Sequence, residues 1–414
     1  MTDPETHRAI DAVWRIESPK LIAGLTRIVR DVGLAEDLAQ DALVAALEQW
    51  PESGVPGKPG AWLMATAKHR AIDRLRRDER LERKHQEIGR EMEIQEGQQD
   101  GDDLLRLIFI SCHPILAPEA RVALTLRLLA SLTTEEIARA FLVPVSTIAQ
   151  RIVRAKRTLT EARVPFEVPT GSELEARLSS VLQVTYLVFN EGYSATAGDD
   201  LIRAGLCEDA LRLGRVLAGL APKEPEVHGL VALMEIQASR SRARIGPSGE
   251  MVLLLDQDRG RWDQLLIRRG LAALERAEQL GGALGPYALQ AAIAACHARA
   301  RTPAETDWAR IVALYDALAE LTPSAVVELN RAVAVGMAFG PAAGLELVDA
   351  LSSEPSLKTY HFLPSVRGDL LAKLGRHDEA RVEFERAASL TQNARERELL
   401  LDRAAASSHE ETAS

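Results

Sequence analysis

The sequence predicts an all-α chain, and three observations carry that prediction. Aromatic residues make up only 4% of the 414 positions, while Ala, Leu, Arg and Glu dominate, a mix of good helix formers. Apolar residues recur at helical spacing, as at Leu34, Leu38, Ala42 and Ala45, and again at Ile148, Ile152, Ala155 and Leu159. From about Gly171 onward, Ala/Leu-rich amphipathic segments follow one another with short Gly/Pro breaks between them. With 46% hydrophobic content, a chain of this length buries ample core and divides into two to four domains.

The first domain is expected over residues 1–77. Residues 8–50 read as helices, with Asp37, Asp41 and Glu48 on a different face from the apolar stripe. Trp50-Pro51 is expected to close that segment, because the residue before proline is pushed out of the helical region, and Glu52–Gly60 reads as a Gly/Pro loop. A basic helix follows, in which Lys68, Arg70, Arg74, Arg76 and Arg77 face only Asp73 in opposition. The net charge of −10 excludes a uniformly basic coat, so nucleic-acid binding has to come from local patches such as this one.

Residues 78–103 hold ten acidic and four basic side chains and end in a polar run, the composition of a solvated, flexible linker. A second small helical domain is expected over 104–163. Thr133 and Glu136 have capping-box spacing, so a short helix should start there. After a break at Leu142-Val143-Pro144 comes a longer helix. One stripe of it is Ile148, Ile152, Ala155 and Leu159, and the opposite surface carries Gln150, Arg151, Arg154 and Arg157. A short capped helix, a tight turn and a longer basic helix are the parts of a helix-turn-helix.

Residues 171–414 are broken at Gly192, Pro222, Gly246, Gly281-Gly282, Pro303, Pro323, Gly340 and Gly375. Gly368, Leu371, Gly375, Ala380, Phe384 and Ala387 fit one tetratricopeptide unit, and residues 328–352 fit the same frame loosely. A helical solenoid of degenerate repeats is the expected architecture, with a globular helical domain as the alternative.

Three segments, AEDLAQDALVAALEQW (Ala35–Trp50), PGAWLMATAKHRAIDRLRR (Pro59–Arg77) and the helix-turn-helix, resemble the extracytoplasmic-function group of bacterial RNA polymerase sigma factors in order and spacing. The rest, with YLVFNEGYSAT (Tyr186–Thr196), GPYALQAAIAACHA (Gly285–Ala298) and ELNRAVAV (Glu328–Val335), resembles the long tetratricopeptide-like extension of one subgroup of that family. The resemblance implies that Asp37, Gln40, Asp41 and Glu48 dock on core RNA polymerase. It assigns Trp62, Lys68, His69, Arg70, Arg74, Arg76 and Arg77 to the −10 element of promoter DNA. Ser146, Thr147, Gln150, Arg151, Arg154 and Arg157 it assigns to the −35 element, with Arg154 and Arg157 best placed for phosphates. His69 stands where the family commonly has Asn, and Leu142 where it often has a turn Gly.

Motifs for enzymatic chemistry do not appear: there is no Walker loop, HExxH, nucleophile elbow or GxGxxG after a strand. His113, His297 and His361 lack further ligands at metal spacing, so no metal or other cofactor is expected. Cys112, Cys207 and Cys296 read as buried free thiols. Asp256, Asp258 and Asp263 with Arg259 and Arg261 read as a loop salt-bridge cluster. With no apolar signal region and no span-length apolar stretch, a cytoplasmic location with no membrane association is expected. The expected function is promoter recognition for core polymerase, with a peptide or another protein received by the C-terminal extension. The alternatives are a polymerase-independent helix-turn-helix regulator with a sensing array, and a tetratricopeptide adaptor that has lost DNA function.

Overall fold

The protein is described by a computed structural model that covers residues 4–79, 99–141, 143–194, 197–198, 201–281 and 285–411. It is all-α. Eighteen α-helices are present among the described residues, and the sheet there is one pair of two-residue strands, Ala197–Gly198 and Gln392–Asn393, in parallel register. The chain divides into two compact units, Met1–Leu187 and Val188–Ser414.

In the first unit, α1 (Pro4–Val29), α2 (Val32–Ser53) and α3 (Pro59–Glu79) pack on one another around Ile10, Leu25, Leu38, Trp50 and Leu63, each at most 2% exposed. The carboxylate of Asp31 starts α2 by accepting the Leu34 N–H at 2.7 Å. Contrary to the sequence expectation, α2 does not stop at Trp50-Pro51. It runs through Pro51 to Ser53 and ends at Gly54, whose φ of +81° lets its N–H reach the Trp50 carbonyl. Burial of the Trp50 ring, at 2% exposure, outweighs the steric bias of the following proline, which falls in the last turn.

Next come α4 (Gln99–Ser111), α5 (Pro118–Leu128), α6 (Thr134–Ala140) and α7 (Val145–Glu161). The sequence places Asp103 at the end of a solvated linker, but it lies in α4, buried, with Arg27 Nε at 2.9 Å and Arg106 Nη1 at 2.7 Å. A buried carboxylate with two guanidinium partners is part of a packed interface. Residues 80–98 of that linker lie outside the described residues. Ser18 and Ser131 hydroxyls, 2.6 Å apart, also join the α1–α3 and α5–α7 groups.

Helix α8 (Ser172–Tyr193) crosses the boundary between the units. The expected domain start at 171 falls at the beginning of this helix. The Ser180 hydroxyl donates to the Cys112 carbonyl at 2.6 Å and accepts from Arg121 Nη1 at 2.7 Å, while Arg177 Nη2 donates to the Phe109 carbonyl at 3.2 Å. Gly192 is not a break either; it sits inside α8, where a Cβ would lie 2.6 Å from the Cys207 nitrogen.

The second unit is a succession of helices, α9 (Ala204–Leu220) to α18 (Ala394–Glu411), in which each packs on the next. The tetratricopeptide positions fall on the hairpin of α16 (Phe362–Lys373) and α17 (His377–Leu390). There Leu371, Ala380, Phe384 and Ala387 are buried and Gly375 turns at φ +73°. Residues 328–352 form a second hairpin, α14 (Ala325–Phe339) and α15 (Pro341–Leu351), joined at Gly340. Among the described residues no salt bridge of the expected cluster is present in the 256–263 loop. Asp258 and Asp263 instead accept backbone N–H groups of Gly260, Leu265 and Leu266, and Arg259 donates to the carbonyls of His297 and Ala300.

Candidate nucleic-acid interface

The helix-turn-helix is built by local chemistry before tertiary packing completes it. Thr133 Oγ1 accepts the Glu136 N–H at 3.1 Å, and the Glu136 carboxylate accepts the Thr133 N–H at 2.8 Å, the reciprocal pair the sequence spacing predicts. Helix α6 starts there and ends at Ala140, and α7 starts at Val145 after Pro144. Ile148, Ile152, Ala155 and Leu159 are buried along one side of α7. That stripe sets the rotation of the helix. It leaves Ser146, Gln150, Arg154 and Arg157 exposed and Thr147 and Arg151 half-buried. Arg157 Nε donates to Glu161 at 2.6 Å across the helix surface, so its charge is partly matched. Leu142 lies outside the described residues.

Two features of α7 were missed from sequence. Val153 is 63% exposed on this otherwise polar surface, and a valine off the buried stripe was its signal. Lys156 turns away from solvent and places its ammonium 2.5 Å from a Glu36 carboxylate oxygen.

On α3, Trp62 is half-buried and meets the buried Trp50 edge-on, with ring centroids 5.3 Å apart. His69 is exposed and Lys68 half-buried. Arg70, expected to meet DNA, donates to the Asp41 backbone carbonyl at 2.5 Å and lies 3.7 Å from the Asp41 carboxylate, so it ties α3 to α2. Arg74, Arg76 and Arg77 belong to α3, and their side chains lie outside the described residues.

On α2, Asp37, Asp41 and Glu48 are exposed, as the sequence predicts. Gln40 is not part of that open surface. It is half-buried and its amide donates to Glu36 Oε1 at 2.7 Å. Glu36, which sequence reasoning passed over, is 3% exposed and also receives Arg127 Nε at 2.6 Å. Burial raises its carboxyl pKa, but Lys156 and Arg127 together more than offset this and hold it below the ordinary range.

Among the described residues no group of three His, Cys, Asp or Glu side chains could hold a metal ion, and no helix is long and apolar enough to cross a membrane. The three cysteines are buried free thiols.

Comparison with known proteins matches these elements. Sigma-70 region 2 matches residues 14–81, Sigma-70 region 4 matches residues 106–159, and a family of unknown function (DUF6596) matches residues 177–278. The chain is 42% identical to Uncharacterized protein R00370 of Rhizobium meliloti (strain 1021) over 94% of its own length and 93% of that protein's. It is 26% identical to the Probable ECF RNA polymerase sigma factor SigI of two Mycobacterium tuberculosis strains, CDC 1551 / Oshkosh and ATCC 25618 / H37Rv. That match covers 39% of this chain and 58% of SigI. The chain belongs to the family of R00370, and its residues 14–159 carry regions 2 and 4 of an RNA polymerase sigma factor.

Proposed function

We propose that this protein directs core RNA polymerase to promoters of the extracytoplasmic-function type and that its C-terminal helical extension regulates that activity. The observation that carries the reading is the rotation of α7. A buried stripe on one side presents Ser146, Gln150 and Arg154 together on the other, on the second helix of a capped helix-turn-helix. Gln150 suits adenine and Arg151 guanine, Arg154 and Arg157 meet phosphates, and Thr147 adds a hydroxyl within reach of a base edge. Val153 supplies an apolar contact for a thymine methyl.

On the other domain, Asp37, Asp41 and Glu48 offer carboxylates to cations on the polymerase, with Gln40 bracing Glu36 behind them. Lys68, His69, Arg70, Arg74, Arg76 and Arg77 are the residues of α3 assigned to the −10 strand, and Trp62, which meets Trp50 edge-on, belongs to the same helix. The succession of helical hairpins in residues 188–414 suits capture of a peptide or partner helix.

Pull-down with core polymerase followed by run-off transcription tests the reading. Promoter-directed transcript is expected from the wild type. Loss of about 1–3 kcal/mol of promoter discrimination is expected for Arg151→Ala. Unchanged transcription by the Arg151→Ala, Arg154→Ala double variant would remove the assignment of α7 to DNA.

A further inference from the structure

We infer that Arg240, Arg244 and Arg259 form a binding site for a phosphate group in the second unit, filled by free phosphate or by a small phosphorylated molecule. The inference concerns residues 188–414 alone and does not depend on the sigma-factor reading. Arg240 follows α10 (Pro225–Ala238), Arg244 follows the short turn Ser241–Ala243, and Arg259 opens the turn Arg259–Arg261. Two aromatic rings gather them. The Arg240 and Arg259 guanidinium carbons lie 5.9 and 4.9 Å from the Trp262 ring centroid, and those of Arg244 and Arg240 lie 4.0 and 5.9 Å from that of Tyr193. His297, on α12 (Pro286–Arg299), feels the charge of Arg240 and Arg259.

What the cluster lacks is an anion. Arg240 and Arg244 are 8% and 7% exposed, and none of the three guanidinium groups has a carboxylate partner among the described residues. Arg240 reaches the Gln237 side chain, Arg244 the Tyr193 carbonyl, and Arg259 the carbonyls of His297 and Ala300 and the Thr306 hydroxyl. Glu396 acts on Arg244 and Glu305 on Arg259, but both are engaged elsewhere, Glu396 with His361 and Thr391 and Glu305 with the Arg301 N–H. Other buried charges of this chain, Asp103 and Glu191 among them, sit against a partner of opposite sign. Arginine does not deprotonate in a protein, so the three like charges persist and repel. Burial, with Arg240 adding to it, pushes the pKa of both Arg244 and Arg259 down.

Unused donors supply the second argument. The Nε of Arg240, the Nε of Arg259 and the indole N–H of Trp262 are buried with no hydrogen-bond partner. All three belong to the groups gathered at Trp262, so one oxyanion placed there accepts from several donors at once. A phosphate brings a charge of about −1.5 to −2 at pH 7 and three acceptor oxygens to set against three guanidinium forks, where a carboxylate brings a single charge. Tyr193 and Arg259 are half-buried, so solvent reaches the cluster. The end of α8, the end of α10, the 259–262 turn and α12 all contribute to it, and a bound phosphate ties these four parts of the second unit together.

Isothermal titration of the full chain with inorganic phosphate, with glycerol phosphate and with acetate, sodium chloride holding the ionic strength, makes the test. Saturable phosphate binding at one site per chain is expected, about tenfold or more tighter than acetate. Tighter binding of glycerol phosphate than of inorganic phosphate assigns the site to a phosphorylated small molecule, and the reverse order assigns it to free phosphate; both support it. Arg240→Gln should weaken phosphate binding roughly tenfold or more. Arg242→Gln, at an exposed arginine of the same segment, should leave it within about twofold of wild type. If circular dichroism shows Arg240→Gln unfolded, Arg240→Lys decides; it keeps the cation and drops the planar fork, and weakening of about threefold or more is expected. No saturable phosphate binding by the wild type up to about 10 mM overturns the inference. So does acetate binding as tight as phosphate, or phosphate binding within about twofold of wild type in the folded Arg240 variants.

Discussion

Removing the C-terminal extension is the direct way to ask what it does, and where the chain is cut decides what the experiment reports. A cut after Thr170, at the start of the extension as the sequence suggests, takes α8 away from region 4. It deletes the Ser180 hydrogen bonds to the Cys112 carbonyl (2.6 Å) and from Arg121 (2.7 Å), and the Arg177 bond to the Phe109 carbonyl (3.2 Å). It also removes the Arg177 guanidinium lying 5.9 Å from the centroid of the Phe109 ring. At about 1 kcal/mol for the neutral bond, about 1.5–3 for each of the two from a charged donor and roughly 0.5–1 for the cation–π contact, the loss is about 4.5–8 kcal/mol. Against a typical domain stability of about 5–15 kcal/mol, that is a large fraction. With a urea slope of about 2 kcal/mol per M, fragment 1–170 should unfold roughly 2–4 M earlier than fragment 1–187. Urea melts of the two fragments by circular dichroism make the comparison, and promoter use by 1–187 then reports on regulation without damage to region 4. Midpoints within about 0.3 M of each other would refute the assignment of α8 to the first unit.

Three further outcomes are expected. Thr133→Ala removes one side of the capping box and should cost fragment 1–187 about 1 kcal/mol, read as a lower melting midpoint together with weaker binding of a −35 duplex. Gly344→Ala places a Cβ 2.8 Å from both the Ala332 carbonyl oxygen and the Gly336 Cα where α14 and α15 cross, so about 1–3 kcal/mol of destabilisation should lower the melting temperature of the second unit. His297 is 7% exposed, and burial, then Arg240 and Arg259, push its pKa down to about 4. Its unfolded value is near 6.5, so the unfolded state takes up the proton first as pH falls through that window; stability should be full above about pH 6.5 and about 2 kcal/mol lower at pH 5. Thermal melts at the two ends of that range test this, and His297→Asn should narrow the difference between them.

Helix identity was legible in the sequence where the signal is local. The Thr133/Glu136 cap, the Ile148–Leu159 stripe and the Gly340 and Gly375 turns all depend on residues within a turn or two of each other. Boundaries failed where a distant contact overrode a local preference. Pro51 reads as a terminator, yet the packing of Trp50 carries α2 past it. Gly192 reads as a break, yet it is the residue that lets α8 approach the Cys207 backbone. Asp103 reads as solvated, yet Arg27, 76 positions earlier, draws it into an interface. Glycine and proline have two uses each, and only the tertiary partner tells them apart.

Charged residues divide in the same way, and burial decides what each can still do. Asp41 and Arg70 were read separately, one toward polymerase and one toward DNA, and they meet each other. Their side chains remain 55% and 39% exposed at 3.7 Å, so the ion pair itself contributes about 0–1 kcal/mol and either partner can exchange it for a stronger one. Glu36 is different, because its side chain is 4% exposed and two cations from another domain close over it. Losing one partner there leaves a buried charge uncompensated, which commits Glu36 to the contact between α2 and the helices α5 and α7. Both residues are acidic positions of one helix, five apart, and no local pattern separates them. What does is the arrival of Arg127 and Lys156, 91 and 120 positions downstream, so the buried role of Glu36 is a property of the folded chain.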